Sequence, residues 1–235
     1  ADHAASVIRR RAGHAFDPDV VAALADDAAG LIASDAASAW DETLAREPGP
    51  HTLLKGEAID TALAAMGHFS DLVSPYFVGH STGVAVLAMN AARRCRFDIA
   101  DVTTMRRAAL VHDIGRVAVP ARIWQQRGPL TPDDWEKVRL HPYQTERILH
   151  RSAFMAALGG LAGTHHERCD GSGYHRGTAA PGLTQRARLL AAADAYQTKI
   201  EPRPHREPLT PAQAARALTG EVRGGRLDAF AVGAV

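Results

Sequence analysis

Leu110-Val-His-Asp-Ile-Gly-Arg-Val-Ala-Val-Pro120 joins an apolar helix to a tight turn through a histidine and an aspartate. Upstream, Ile99, Val102, Leu110 and Val111 recur at the spacing of one buried helical face, so residues 98–114 read as a core helix. The stretch Gly115 to Pro120 then reads as a turn. Two side chains with metal-ligand chemistry thus stand where a core helix stops. Adjacent residues differ by about 100° around a helix, so His112 and Asp113 reach one centre only near such an end.

Working outward, the same alternation of helix and breaker continues. Residues 52–67 and 71–94 read as helices, the second with Val84, Leu87 and Ala88 on one side. Thr131-Pro132-Asp133-Asp134 opens a helix expected to run to about His150, with a hydroxyl cap, a proline and acids in the first turn. A short helix near 152–167 precedes the Gly-rich loop Asp170-Gly-Ser-Gly-Tyr-His-Arg-Gly177. Residues 185–200 are helical, and Thr210-Pro-Ala-Gln213 carries a capping-box pattern. Towards the N-terminus, Asp17-Pro18 starts a helix expected to reach Leu44, and Glu47-Pro-Gly-Pro-His51 breaks it as a linker. The fold class that follows is all-α.

Composition agrees and narrows the function. Alanine dominates 235 residues, and aromatic and strand-favouring residues are scarce. A formal charge of +1 argues against direct nucleic-acid binding. No apolar run approaches the roughly 20 residues that span a bilayer, so no membrane attachment is expected. The two cysteines, Cys95 and Cys169, form no framework, and a reducing cytoplasm is the expected location. Twelve histidines are the unusual feature.

Their positions matter more than their number. His165-His166 ends a helix before the Gly-rich loop, and His80 and His141 lie on or at the start of helices. Asp194 falls inside the apolar run Ala187-Arg-Leu-Leu-Ala-Ala-Ala-Asp-Ala-Tyr196, where an unpaired carboxylate is costly to bury. A lone histidine at a helix end is more often a cap or surface residue, and Asp194 alone could pair with a core arginine. As one set they point to a metal centre. Imidazole plus carboxylate suits Fe, Mn, Zn or Ni rather than a thiolate-selective ion. Asp113 could bridge two ions through its two oxygens. Two divalent ions against two carboxylates leave +2, or +1 with a bridging hydroxide, which attracts a phosphodiester and supplies a nucleophile near neutral pH.

Across residues 55–235 the chain resembles the HD-GYP family of HD-superfamily phosphohydrolases. The resemblance is carried by Ser74-Pro-Tyr-Phe-Val-Gly-His80-Ser, the 110–120 stretch, Gly128-Pro-Leu-Thr131, Leu140-His-Pro142, His165-His-Glu-Arg-Cys-Asp-Gly-Ser-Gly-Tyr174, Arg188 through Asp194, and Arg203-Pro-His-Arg206. It implies a helical bundle with a metal centre in its core that hydrolyses cyclic di-GMP to pGpG or GMP. By position, His80, His112, Asp113 and Asp194 match the ligands of one ion, and Asp113, His141, His165 and His166 those of a second. Some members hold a third ion through a Glu where this chain has Tyr76, so the resemblance implies two divalent ions here, Fe or Mn favoured and Zn, Ni or Mg also compatible. Asp113 and Arg116 take the catalytic positions, and Arg116, Arg203 and Arg206 match phosphate-contacting positions.

The chain departs from the family pattern at several of these places. Arg116 stands for the family's lysine, and Gln197 for its second aspartate. Cys169 replaces a common Trp or Phe, and Gly173-Tyr174-His175 lacks the proline of GYP, a loss expected to loosen that loop. Two alternatives stay open: an HD-type hydrolase of another nucleotide or phosphoester, and a metal-bound, catalytically weak sensory module of a larger protein.

Residues 1–54 read as a helical segment or linker. Gly13-His-Ala-Phe-Asp-Pro-Asp-Val-Val-Ala-Ala-Leu24 lines up with Gly224-Gly-Arg-Leu-Asp-Ala-Phe-Ala-Val-Gly-Ala-Val235, as if the first were the tail of a preceding similar unit. With an Ala start and an apolar Val235 end, the chain reads as an excerpt, so additional domains and a homodimer are among its expected partners.

Overall fold

The structure is a computed structural model that describes residues 2–32, 42–43, 45–49 and 53–235. It forms two compact units, Ala1–Leu53 and Leu54–Val235. Among the described residues there is no β-strand, only two isolated bridges. The architecture is all-α.

The first unit contains α1 (Asp2–Arg9), α2 (Pro18–Asp26) and α3 (Ala28–Ile32). Asp17 caps α2, accepting from the Asp19 and Val20 amides at 2.9 and 3.2 Å, with Pro18 in the first turn. The helix closes at Asp27, earlier than the sequence suggested. Its expected continuation to Leu44 and the break near His51 lie largely outside the described residues.

The second unit is a bundle whose centre is α5 (His80–Arg94) against α6 (Ile99–Val111) and α11 (Gln185–Ile200). Around it pack α4 (Glu57–Asp71), α9 (His141–Leu149), α10 (Ala153–Ala162), α12 (Pro211–Arg223) and α13 (Ala229–Ala234). The shared core is rich in small side chains: Val84, Ala88 and Ala91 of α5, Met105, Ala108 and Ala109 of α6, and Leu189, Leu190 and Ala193 of α11 are all buried. Small residues let helix backbones approach. At Gly67 of α4 an added Cβ would lie 2.3 Å from the Leu110 carbonyl oxygen, so α4 crosses α6 in backbone contact beside the His112-Asp113 corner. Truncating a fully buried leucine such as Leu189 to Ala typically costs about 2–5 kcal/mol.

Two helices divide differently from the sequence reading. The break expected near residues 68–70 falls at 72–79, where Ser74 caps a 3-10 turn, Pro75–Phe77, and Gly79 adopts φ 85° ahead of His80. The helix expected from 132 to 150 is two helices, α8 (Pro132–Arg139) and α9, with α7 (Ala121–Trp124) before them. Pro142 is the cause. It has no amide to give the Val138 carbonyl, and its ring would clash there. The turn after Asp113 is itself a short 3-10 helix, Ile114–Ala118.

Candidate metal centre

Three helices end at one point. His112 follows the last residue of α6, His141 lies just beyond α8, and His165 lies just beyond α10. Each donates its Nδ1–H to the carbonyl three residues earlier: His112 to Ala109 at 2.7 Å, His141 to Val138 at 2.6 Å and His165 to Ala162 at 2.7 Å. Those are last-turn carbonyls, where an α-helix runs short of amides, although Val138 also accepts from an amide of its helix cap. The bond fixes the tautomer, so each Nε2 presents a lone pair to the centre. The negative ends of the three helix dipoles converge there too, which favours a cation.

Asp113, fully buried, divides its carboxylate between two halves. Its Oδ1 lies 3.2 Å from His141 Nε2 and 3.3 Å from His165 Nε2. Its Oδ2 lies 2.9 Å from His112 Nε2 and 3.3 Å from His80 Nε2. Asp194, from the middle of α11, closes the second half with Oδ1 3.3 Å from His80 and 3.9 Å from His112. The remaining Asp194 oxygen faces His166 Nδ1 at 3.6 Å, and His166 stacks beside His165 with ring centroids 4.2 Å apart. All seven sequence-derived ligand positions therefore gather around the Asp113 and Asp194 carboxylates.

The donor set fits divalent ions. His141 and His165 bring their Nε2 atoms to 3.1 Å while both Nδ1 protons are committed elsewhere. Two lone pairs at that distance, with a carboxylate oxygen beside them, repel unless a cation lies among them. Both Asp113 oxygens and His112 Nε2 are buried without a hydrogen-bond partner. His141, His165 and His166 could hold one ion, and His80, His112 and Asp194 another. Burial lowers His165 to about 4 and His166 well below its ordinary value, keeping both neutral as ligands must be. Burial pushes the Asp113 carboxyl up, but Arg116 and His112 outweigh it and hold it well below the usual carboxylate range. Burial and Arg116 pull His80 down, yet the nearby Asp113 and Asp194 carboxylates and the hydrogen bond to Glu201 raise it to about 10, so an ion entering this half would displace a proton.

Glu201 is the residue that sequence reasoning missed. Its Oε2 accepts from His80 Nδ1 at 2.8 Å and from Arg203 NH2 at 2.9 Å, and its Oε1 accepts from Gln197 Nε2 at 2.7 Å. It orients His80 as the backbone carbonyls orient the other three rings. Gln197 is itself wedged against α5, since a Cβ on Gly83 would lie 2.4 Å from its amide nitrogen. Glu167 was also missed. Buried beside His166, it accepts from the Arg176 and Thr178 amides at 2.8 and 2.7 Å and so ties down the 170–178 loop. The loop that lacks the GYP proline is therefore anchored rather than loose, and Tyr174 lies over His166 at 4.7 Å.

The three expected anion-binding arginines separate. Arg116 is buried, with NH2 2.5 Å from Asp113 Oδ2 and its guanidinium 4.0 Å from the Phe77 ring centre. Arg203 approaches the same ring at 5.0 Å and is steadied by Glu201 and the Tyr76 carbonyl. Both line a cavity that opens on His141 and His166. Arg206 is not brought there. Its guanidinium donates to the carbonyls of Thr198, Lys199, Glu201 and Glu207 and caps the end of α11.

A helical scaffold built around a shared His-Asp pair defines a domain of the HD class. A family model described as HD domain matches residues 68–230. The chain is 33% identical over 209 residues to a Vibrio cholerae protein named 3'3'-cGAMP-specific phosphodiesterase 3, covering 87% of this chain and 45% of that one. It is 35% identical over 141 residues to the cyclic di-GMP phosphodiesterase of Thermotoga maritima, covering 59% and 38%. Among solved structures, the V. cholerae cyclic GMP-AMP-specific phosphodiesterase superposes with a TM-score of 0.55 at 29% identity, over 99% of this chain and 54% of that one. A Bdellovibrio bacteriovorus HD-GYP-type protein, at 18% identity and TM-score 0.58 over 76% and 62%, shares the fold. This chain belongs to the HD-domain family, in its HD-GYP branch. It spans less than half the length of these curated relatives.

Proposed function

We propose that this domain is a metal-dependent phosphodiesterase that opens a cyclic dinucleotide, cyclic di-GMP to pGpG or GMP. The observation that carries it is the Asp113 carboxylate, with one oxygen facing His141 and His165 and the other facing His80 and His112. His80, His112 and Asp194 would hold one divalent ion and His141, His165 and His166 the other, with Asp113 between them. Fe or Mn suits this nitrogen and oxygen set best, and Zn, Ni or Mg is compatible. When bound, such a pair polarises a phosphoryl oxygen and makes water nucleophilic near neutral pH.

The chain's own residues do the rest. Arg116 and Arg203 share the Phe77 ring and place two fixed positive charges at the cavity wall, where they receive the non-bridging phosphate oxygens. A guanidinium is a planar bidentate donor and a poor acid, so the part of Arg116 is to bind and orient. Tyr174, lying over His166, shields that side of the centre from bulk water.

Hydrolysis of cyclic di-GMP by purified protein loaded with Mn or Fe, followed by separation of pGpG and GMP, tests this. No turnover with two ions per chain overturns it. A second substrate, 3'3'-cGAMP, is favoured by the relative that shares 33% identity over 87% of this chain and is named for it. The ratio of kcat/KM for the two dinucleotides decides between them. Among the described residues no helix is long and apolar enough to cross a membrane, and Cys95 and Cys169 are free thiols, which fits a cytoplasmic setting.

Residues 55–235 are the catalytic domain in this reading, and residues 1–54 a helical segment or linker, with the tail of a similar preceding unit as the alternative. The support is local: the aligned Asp17 and Asp228 both cap the helix that follows. Upstream sequence without a second helical unit would remove this part.

A further inference from the structure

The cavity beside the metal-facing residues has apolar lining that phosphate chemistry does not use. It encloses about 570 Å³, the scale of a small-molecule site. His141, His166 and Arg116 line it, and so do the apolar Ile123, Trp124, Leu130 and Trp135. An apolar wall strips water from a phosphate without repaying it, so this part suits a different portion of the ligand. Trp124 is held by its neighbours: its Nε1–H donates to the Arg116 carbonyl at 3.4 Å, its ring meets Phe77 and His141 nearly perpendicular at 5.4 and 5.7 Å, and the Arg116 guanidinium lies 5.7 Å from its centre. Trp135 is 46% exposed and makes no ring or cation contact among the described residues. Between them in sequence, Gln126 Nε2 donates to the Pro129 carbonyl at 2.6 Å and pins a short loop. That loop presents Arg127 to the cavity, exposed and with no hydrogen bond or ion pair among the described residues.

We infer that Trp124, Trp135 and Arg127 form a nucleobase subsite that selects guanine. The inference rests on the cyclic-dinucleotide reading above: a phosphate at Asp113 and Arg116 leaves the attached base to extend along this cavity. An indole face stacks on any base and supplies affinity without choice. The choice comes from Arg127, whose planar fork matches the O6 and N7 acceptors of guanine. Adenine offers a donor at the first of those places.

The test compares Mn-loaded wild type with Arg127→Ala and Trp135→Ala on cyclic di-GMP and cyclic di-AMP, with bis(p-nitrophenyl) phosphate as a baseless substrate for Arg127→Ala. Binding of GMP is followed in parallel by tryptophan fluorescence. Arg127→Ala should raise KM for cyclic di-GMP roughly 5- to 100-fold, with kcat held within about twofold as for lost ground-state binding. It should leave cyclic di-AMP and the baseless ester unchanged and weaken GMP binding by a similar factor. Trp135→Ala should raise KM for both dinucleotides. Wild-type KM for cyclic di-GMP in both variants, or an equal loss on the baseless ester, overturns the subsite while leaving the phosphodiesterase reading intact. Should wild type open no cyclic dinucleotide at full metal occupancy, that reading falls, and GMP binding alone decides the subsite. Unchanged GMP affinity in Arg127→Ala overturns it, and a tenfold loss supports it.

Discussion

The Nδ1–H of His141 donates to the Val138 carbonyl oxygen at 2.6 Å, and Val138 is the residue whose helical partner would have been the missing amide of Pro142. The proline that splits α8 from α9 thereby leaves that acceptor, which a capping amide also uses, within reach of the histidine ring. Pro142→Ala restores a competing amide. It should weaken ion binding in the His141 half by about 10-fold, the low end for loss of a ligand's orienting partner. The metal-free melting temperature should hold or rise. Mn titration against a competing chelator, with thermal melts, checks both.

Glu201 predicts a loss confined to the other half. Glu201→Ala should weaken one of two ions by about 10- to 100-fold, and Glu201→Gln, which keeps an acceptor for His80, should lose less. Metal stoichiometry after graded chelation reads the difference. Equal retention of both ions by Glu201→Ala would sink the role assigned to it.

Gly115 has no room for a side chain: a Cβ would lie 2.0 Å from the His141 carbonyl and 2.5 Å from the Thr145 amide. Thr145 Oγ1 meanwhile accepts from the Gly115 amide at 3.0 Å and donates to the His112 carbonyl at 2.8 Å. Gly115→Ala should destabilise the domain by about 1–3 kcal/mol through overpacking, lowering the melting temperature by roughly 2–12 °C for this size.

Arg203 and Arg206 should behave differently despite standing three residues apart. Arg203→Ala removes a charge from the cavity and a prop from Glu201, so both KM and ion affinity worsen. Arg206→Ala should cost about 1 kcal/mol of stability through lost carbonyl partners and change kcat/KM by less than about twofold, since it adds nothing in the transition state. A large catalytic loss in Arg206→Ala at unchanged melting temperature would return it to the site.

Removing the ions should lower stability as well as activity. Each independent ion at 100 times its Kd adds about 2.7 kcal/mol by mass action. Asp113→Ala should abolish that gain for both, whereas His166→Ala should affect only one. Melts with and without Mn, on the three proteins, separate these outcomes.

The sequence marked the candidate ligand positions because each lies at a helix end or inside an apolar run, where its polarity is conspicuous. It made the all-α class legible through apolar spacing and breakers. Glu201 was opaque for a physical reason: nothing near it in the chain marks it, and its partner His80 is 121 residues away. Arg206 misled for the complementary reason, since an arginine that caps a helix and one that binds phosphate look identical in one dimension. The division at Leu140 was readable in principle from Pro142, but the strong start at Thr131-Pro132 suggested a longer helix than α8 became.

Because the last turns of α6, α8 and α10 each have a carbonyl held by a histidine ring, the two-metal reading makes fraying of a final turn and release of an ion one event. Hydrogen exchange of the amides in those three turns should therefore slow together when the domain is charged with Mn, and an exchange-prone turn would leak its ion first.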